Sequence, residues 1–336
     1  MTKASPPPQT YAMRSDAADY PMMLVLSFVF PCNAKCPHCP YTNSDIRKEY
    51  ADMPFMPAET FRKIADESGP HGAFLRISGG GEPMLHPEAV ELFLYAKARG
   101  CRVGLITNGS KFDADNSRAL IEAGIDMIEF SVDASTAEGY AVARAGLEWD
   151  TLLTNVRRMI QLRKAGNSTT KIVASAVHQA GVDIDEVERF WVEDIGVDYV
   201  IKRKFLTWGI NTNLDGARSG DPGAYLDTEV EPCPFLFERL NIDTRGNIMV
   251  CGYDISANTE MGNCNSQNIS EIWHGPGFEW YRGMHLKGKG KDIPLCAGCP
   301  DWQYRSWHHN YWKVVANAEE ARQRKLTGVP ARLEEQ

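Results

Sequence analysis

Three cysteines in the run Pro31-Cys32-Asn33-Ala34-Lys35-Cys36-Pro37-His38-Cys39 carry the first chemical signal of this chain. Their C-x3-C-x2-C spacing lets one short loop offer three thiolates to three irons of a [4Fe–4S] cube. The fourth iron is then left without a protein ligand and open to a small molecule. A structural zinc ion would want four ligands, and no fourth Cys or His stands at a fitting spacing. His38, between two of the cysteines, is too constrained to join them around one ion. A second constellation comprises Cys233, Cys251, Cys296 and Cys299. The stretch Leu240 to Val250 between its first two members reads as a β-hairpin turning near Arg245-Gly246-Asn247. That hairpin brings Cys233 and Cys251 together, and the Cys296-x-x-Cys299 turn closes the site. Taken alone, these four cysteines fit an iron–sulfur cluster or a zinc ribbon.

Both constellations need elements to hold them. Strand-like apolar runs occur at 23–30, 73–78, 102–107, 127–132, 171–177 and 197–204, with helix-periodic stretches at 58–67, 86–99, 116–123, 149–164 and 184–193. Pro57 precedes the first of these helices, and Asp115 or Asn116 could cap the third. Six βα-type repeats predict an α/β fold with a parallel sheet and right-handed crossovers, too few strands for a closed eight-stranded barrel. In such sheets chemistry gathers at the carboxyl ends of the strands. The cysteine loop follows the first strand, Gly80-Gly81-Glu82 the second and Thr107-Asn108-Gly109 the third, while Ser131 and Asp133 end the fourth.

The cysteine loop, the apolar strand before it and the later Ser78-Gly79-Gly80-Gly81-Glu82-Pro83 together resemble the radical S-adenosylmethionine (SAM) superfamily. The resemblance implies a partial (β/α)6 barrel, related to the TIM barrel, in which the open iron of the cluster held by Cys32, Cys36 and Cys39 chelates SAM. Electron transfer then cleaves SAM to a 5′-deoxyadenosyl radical. It further implies that Gly80 and Gly81 bring backbone close to the methionine moiety and that Glu82 accepts a hydrogen bond from its amino group. Ser131 and Asp133 would bind the ribose hydroxyls with help from Asn108, and His38 would stack beside the adenine. Residues of these types are also common at strand-end turns. Lys202 and Arg203, at the end of the sixth strand, offer cations for a SAM or substrate carboxylate, or else form a solvated charge cluster.

The run Gly246-x4-Cys251, Met261-Gly262-Asn263, Ile272-Trp273 and Cys296-x2-Cys299 resembles the SPASM/twitch extensions of radical SAM enzymes. No cysteine follows Cys299, so the likeness is to the shorter twitch type, a β-hairpin plus helix around one auxiliary [4Fe–4S] cluster, and its spacings are similar to those of twitch dehydrogenases of aminocyclitols. What this implies is hydrogen abstraction from a sugar, aminocyclitol or nucleoside intermediate of natural-product biosynthesis. The substrate radical would be oxidised from alcohol to ketone through the auxiliary cluster. Redox-neutral epimerisation or decarboxylation and maturation of a ribosomally made peptide are the alternatives, with a non-catalytic iron–sulfur or zinc scaffold outside the class. Cys264 could return a hydrogen atom in an epimerase or simply pack as an apolar side chain. A flavodoxin or ferredoxin is the expected electron donor.

Size and charge agree with an enzyme of this kind. At 336 residues with a net charge of −8, the chain can bury a large core and has no phosphate-neutralising surface for nucleic acid. Its longest apolar run, Pro21 to Pro31, is too short for a bilayer. Nine cysteines without an export signal point to metal ligation in a reducing cytoplasm. The expected organisation is a tail over 1–20, a barrel over 21–206, a linker or substrate-contacting segment over 207–231, the auxiliary-cluster domain over 232–310 and a C-terminal helix and tail over 311–336.

Overall fold

In a computed structural model the described residues are 19–42, 48–179, 181–203, 232–252, 254 and 259–297. Residues 1–18 of the expected N-terminal tail, the 207–231 segment and the C-terminal helix and tail over 311–336 fall outside them, while Tyr20, at the end of that tail, is buried against Ser68.

All six expected strands form, as β1 (Met23–Leu26), β2 (Phe74–Ile77), β3 (Arg102–Thr107), β4 (Met127–Ser131), β5 (Lys171–Val177) and β6 (Tyr199–Arg203). They lie in chain order and pair in parallel throughout. Alternation along the strands divides two apolar layers. Leu24, Leu26, Leu75, Ile77, Ile128 and Phe130 belong to the large core under the helices. Met23, Phe74, Met127, Val173 and Ile201 form a separate cluster on the concave face.

The helices of the barrel are α1 (Ala58–Ser68), α2 (Ala89–Ala98), α3 (Ala114–Glu122), α4 (Ala137–Ala143), α5 (Trp149–Ala165) and α6 (Ile184–Arg189). Asp113, rather than Asp115 or Asn116, caps α3: it accepts from the Asn116 backbone N–H while the Asn116 side chain returns the bond. α6 runs on into a π-helical turn, Phe190–Ile195, which seats Trp191 with its indole N–H on the Ala134 carbonyl at 2.8 Å. The short α4 was not legible in the sequence pattern.

Beyond the barrel come α7 (Phe235–Glu238), β7 (Arg239–Ile242), β8 (Asn247–Met249), β9 (Glu260–Asn263), α8 (Ile269–Trp273), α9 (Pro276–Leu286) and α10 (Pro294–Ala297). The hairpin β7–β8 turns through Asp243, whose carboxylate accepts from the Arg245 and Asn247 backbone N–H groups at 2.9 Å each. β7 pairs in parallel with the free side of β1, so barrel and hairpin share one open nine-stranded sheet, β6-β5-β4-β3-β2-β1-β7-β8-β9. Among the described residues no helix is long and apolar enough to cross a membrane.

Candidate active site

The cysteine loop emerges from β1 and is sewn to the loops that follow β2 and β3. The Glu82 N–H donates to the Pro31 carbonyl at 2.9 Å, and Val29 and Gly80 form a parallel bridge. Gly80 has φ 74°, a region that glycine enters without penalty. A Cβ on Gly80 would strike the Val29 carbonyl oxygen, and one on Gly81 the Pro31 carbonyl oxygen. The glycines are thus required by the close approach of two protein loops, whereas the sequence reading attributed them to an approaching cofactor.

Glu82 is buried at the centre of this seam. Its carboxylate accepts from Thr107 Oγ1 at 2.7 Å, the Asn108 N–H at 2.7 Å and the Met84 N–H at 3.1 Å. Burial raises its pKa, partly offset by those same bonds from Asn108, Thr107 and Met84. A carboxylate has about four acceptor positions, so one remains for an incoming donor. Asn108 completes the seam: its side-chain N–H donates to Asn33 Oδ1 at 2.9 Å, and its own Oδ1 accepts from Ser110. Its groups therefore serve the cysteine loop first.

Across the loop stands a charge cluster. Asp133 is fully buried and held at φ 53°, a left-handed conformation uncommon for a non-glycine residue. Its Oδ1 accepts from the Val177 N–H at 2.7 Å, which ties the end of β4 to β5. Its Oδ2 lies 2.6 Å from Arg144 and 3.3 Å from His38 Nε2. Arg144, just beyond α4, also points Nη1 at Cys36 Sγ, 3.6 Å away. Burial works against that cation, but Asp133 and Cys36 hold its pKa above the usual value. Burial pulls His38 down to about 4, Asp133 opposing and Arg144 assisting, so the ring is neutral near pH 7. Arg144 lies within this cluster, and sequence reasoning did not single it out.

The residues fit the groups that their types suggest. Burial pushes the Cys39 thiol up to about 11, with Cys36 next in effect, and a metal bound by thiols releases their protons. His38 Nδ1 and the Tyr140 hydroxyl are buried nearby with no hydrogen-bond partner among the described residues. Orphaned polar atoms at such a place call for a polar ligand. Among the described residues no three His, Cys, Asp or Glu side chains close around a single ion.

Ser131 ends β4 half-buried, on the same face as Glu129 by alternation. Glu129 is fully buried and bonded to Arg203 at 2.5 Å. Burial acts to raise its pKa, yet Arg203 and Arg76 together keep it below the usual carboxylate range. Lys202 takes the opposite face, as expected for its neighbour in a strand, and pairs with Asp185 and Glu188 of α6 at 2.6 Å each. It thereby lies on the helix side of the sheet, away from the concave face where a SAM or substrate carboxylate would sit.

In the second constellation Cys233, Cys251 and Cys296 gather around α9, where Cys296 and Cys251 both raise the Tyr281 pKa after burial. Cys299 falls outside the described residues. His285 of α9 lies between two of the others, accepting from the Cys233 N–H at Nδ1 (3.3 Å) and meeting Cys296 Sγ at Nε2 (3.5 Å). Cys264 is elsewhere. It is buried behind the hairpin turn near Lys63 and Glu67 of α1, and burial pushes its thiol up to about 12. A Cβ on Gly246 would touch its Sγ at 3.0 Å. That packing suits an apolar side chain, and among the described residues its charged neighbours are Lys63, Glu67 and Asp243, not the cysteine loop.

Comparison with known proteins agrees with this geometry. The radical SAM superfamily model matches residues 26–188, and the SPASM iron–sulfur cluster-binding domain matches 233–300. A PqqA peptide cyclase of Granulibacter bethesdensis is 31% identical over 290 residues, covering 78% of this chain and 76% of its own. Streptococcus suis SuiB bound to precursor peptide SuiA shares the fold at TM-score 0.67 and 13% identity, over 91% of this chain and 75% of its own. BtrN in complex with AdoMet and 2-DOIA does so at TM-score 0.51 and 16% identity, over 83% and 93%. The fold is accordingly a radical SAM partial barrel with an unclosed sheet and a SPASM-type C-terminal domain. Its cofactors are SAM, a [4Fe–4S] cluster and the auxiliary iron–sulfur centre of the second domain. The chain belongs to the radical SAM superfamily and carries a SPASM domain.

Proposed function

We propose that this enzyme removes a hydrogen atom from a C–H bond of a peptide side chain and completes a two-electron oxidation, the second electron leaving through the SPASM centre. The observation that carries the reading is the β1–β7 pairing, which joins the hairpin between Cys233 and Cys251 to the sheet that carries the first cysteine loop. The peptide class is supported by the likeness to PqqA peptide cyclase. SAM and the first cluster, when bound, supply the hydrogen abstraction, and the auxiliary cluster supplies an electron acceptor.

Cys32, Cys36 and Cys39 would hold the first cluster, and Cys233, Cys251, Cys296 and Cys299 the second. Glu82 and Asn108 fix the cysteine loop through the bonds they already make, and the remaining acceptor position of Glu82 would take the amino group of SAM. Ser131, Asp133 and His38 would hold its nucleoside end, where the ion pair of Arg144 with the buried Asp133 keeps the local charge nearly balanced. Below them, Arg203 and Glu129 form a polar layer on the concave face that can orient substrate. The apolar floor of Met23, Phe74, Met127, Val173 and Ile201 seals the inner end against water.

The test is anaerobic turnover with SAM, a flavodoxin or chemical reductant, and synthetic peptides matching short reading frames beside the gene. Formation of 5′-deoxyadenosine with a peptide product two hydrogens lighter is expected. A product at the substrate's oxidation level would overturn the electron-acceptor role. Oxidation of an alcohol on a sugar, aminocyclitol or nucleoside is the second reading, supported by the cysteine spacing and the BtrN-like fold. A small-molecule panel in the same assay, yielding a ketone where peptides yield nothing, would put it first.

A further inference from the structure

His285 occupies a place that neither cysteine pattern accounts for. It lies on α9, one turn beyond Arg282, and residues three apart share a helix face. Arg282 fixes that face against the segment after Cys233: its Nε donates to the Leu236 carbonyl and its Nη1 to the Trp273 carbonyl, both at 2.8 Å. The imidazole is thereby set between Cys233 and Cys296, 4% exposed. The Cys233 backbone N–H donates to Nδ1 at 3.3 Å. A nitrogen that accepts cannot carry the proton, so the neutral ring keeps its proton on Nε2. That N–H is directed at Cys296 Sγ, 3.5 Å away.

We infer that His285 is a positioning residue for the auxiliary cluster, donating an N–H···S hydrogen bond to the Cys296 thiolate and raising the reduction potential of the cluster. One-electron reduction adds negative charge that spreads onto the ligand sulfurs, so a donor on sulfur stabilises the reduced state more than the oxidised one. Exclusion of water strengthens the effect. The bond from Cys233 prevents the ring from turning its bare nitrogen to the sulfur. A lysine or arginine there would bring a full charge; the neutral imidazole adjusts the potential with a dipole alone. The consequence is an auxiliary centre biased toward accepting an electron, as an oxidation of substrate requires. The inference rests on Cys233 and Cys296 being cluster ligands.

The experiment is a potentiometric titration of reconstituted holoenzyme, followed by EPR so that the two clusters are read separately. Wild type, His285→Leu and His285→Gln are compared, with iron counted in each. The expected result is unchanged iron, a more negative auxiliary potential in His285→Leu, a value near wild type in His285→Gln, whose amide still donates, and an unmoved first cluster. Equal auxiliary potentials in wild type and His285→Leu would overturn the inference. Should His285→Leu lose the auxiliary cluster, wild-type enzyme labelled with 15N-histidine decides. A weak nitrogen coupling to the reduced auxiliary centre sustains the N–H···S bond; no coupling, or one of ligand strength, overturns it. Cys296→Ala tests the ligand reading separately: full iron with an unaltered auxiliary signal would remove Cys296 from the cluster whatever His285 does.

Discussion

A guanidinium set between a thiol and a buried carboxylate, as Arg144 lies between Cys36 and Asp133, sets the charge of the first site. Arg144→Ala leaves the Asp133 carboxylate buried with its main counter-charge gone, and loss of one partner of such a pair costs about 3 kcal/mol or more. We expect a lower denaturation midpoint of the iron-loaded protein, together with weaker SAM binding by calorimetry. Arg144→Lys should recover the charge but not the two-sided reach, and so only part of the binding. Cys264→Ala should behave oppositely, with turnover and iron retained and a stability loss of about 1 kcal/mol from a vacated apolar position. Abolished turnover with both clusters intact would restore Cys264 as a hydrogen donor. The cysteines were legible because their chemistry is written in local spacing. Arg144 was not, since its thiol partner stands 108 positions away and only the folded chain joins them.

The elements were easier to read than their joints. Every barrel strand was visible from its apolar run, and the hairpin from its turn residues, because burial on both faces leaves a composition that local sequence records. α4 escaped because it has seven residues with Tyr140 and Ala143 its buried pair, too short for a helical period to declare itself. The seam between the cysteine loop and Gly80-Gly81-Glu82 was legible as a motif but not in its cause. Gly81→Ala tests that cause directly. A methyl group there displaces the Pro31 carbonyl, so the loop should lose cluster iron even when SAM is absent. Iron counted after anaerobic reconstitution should fall by about the content of one cluster. Unchanged iron with weakened SAM binding would instead return the glycine to a cofactor-facing role.

For the whole molecule, the buried Glu129 is the acid-sensitive point of the concave face. Burial opposes its charge, but Arg203 and Arg76 hold its pKa below the value of the unfolded chain. Its contribution to stability is therefore fully present above the ordinary glutamate range and is lost as pH falls through the depressed folded value. Thermal melts of wild type and Glu129→Gln should differ most near neutrality and converge in acid. A constant gap across that range would contradict the assignment.

The pairing of β7 with β1 has one more effect. The barrel is open, and an unclosed sheet has two raw flanks. β7 occupies the flank of β1 along Met23, Leu24, Val25 and Leu26. Excising the SPASM domain would strip that cover and leave bare amide and carbonyl groups on an apolar strand, a template for another copy. A shortened chain ending after β6 should therefore gather into aggregates, visible by light scattering, before its remaining cluster can be assayed. The second domain is then a shield for the first as well as the bearer of the auxiliary iron–sulfur centre, and its two services cannot be separated with scissors.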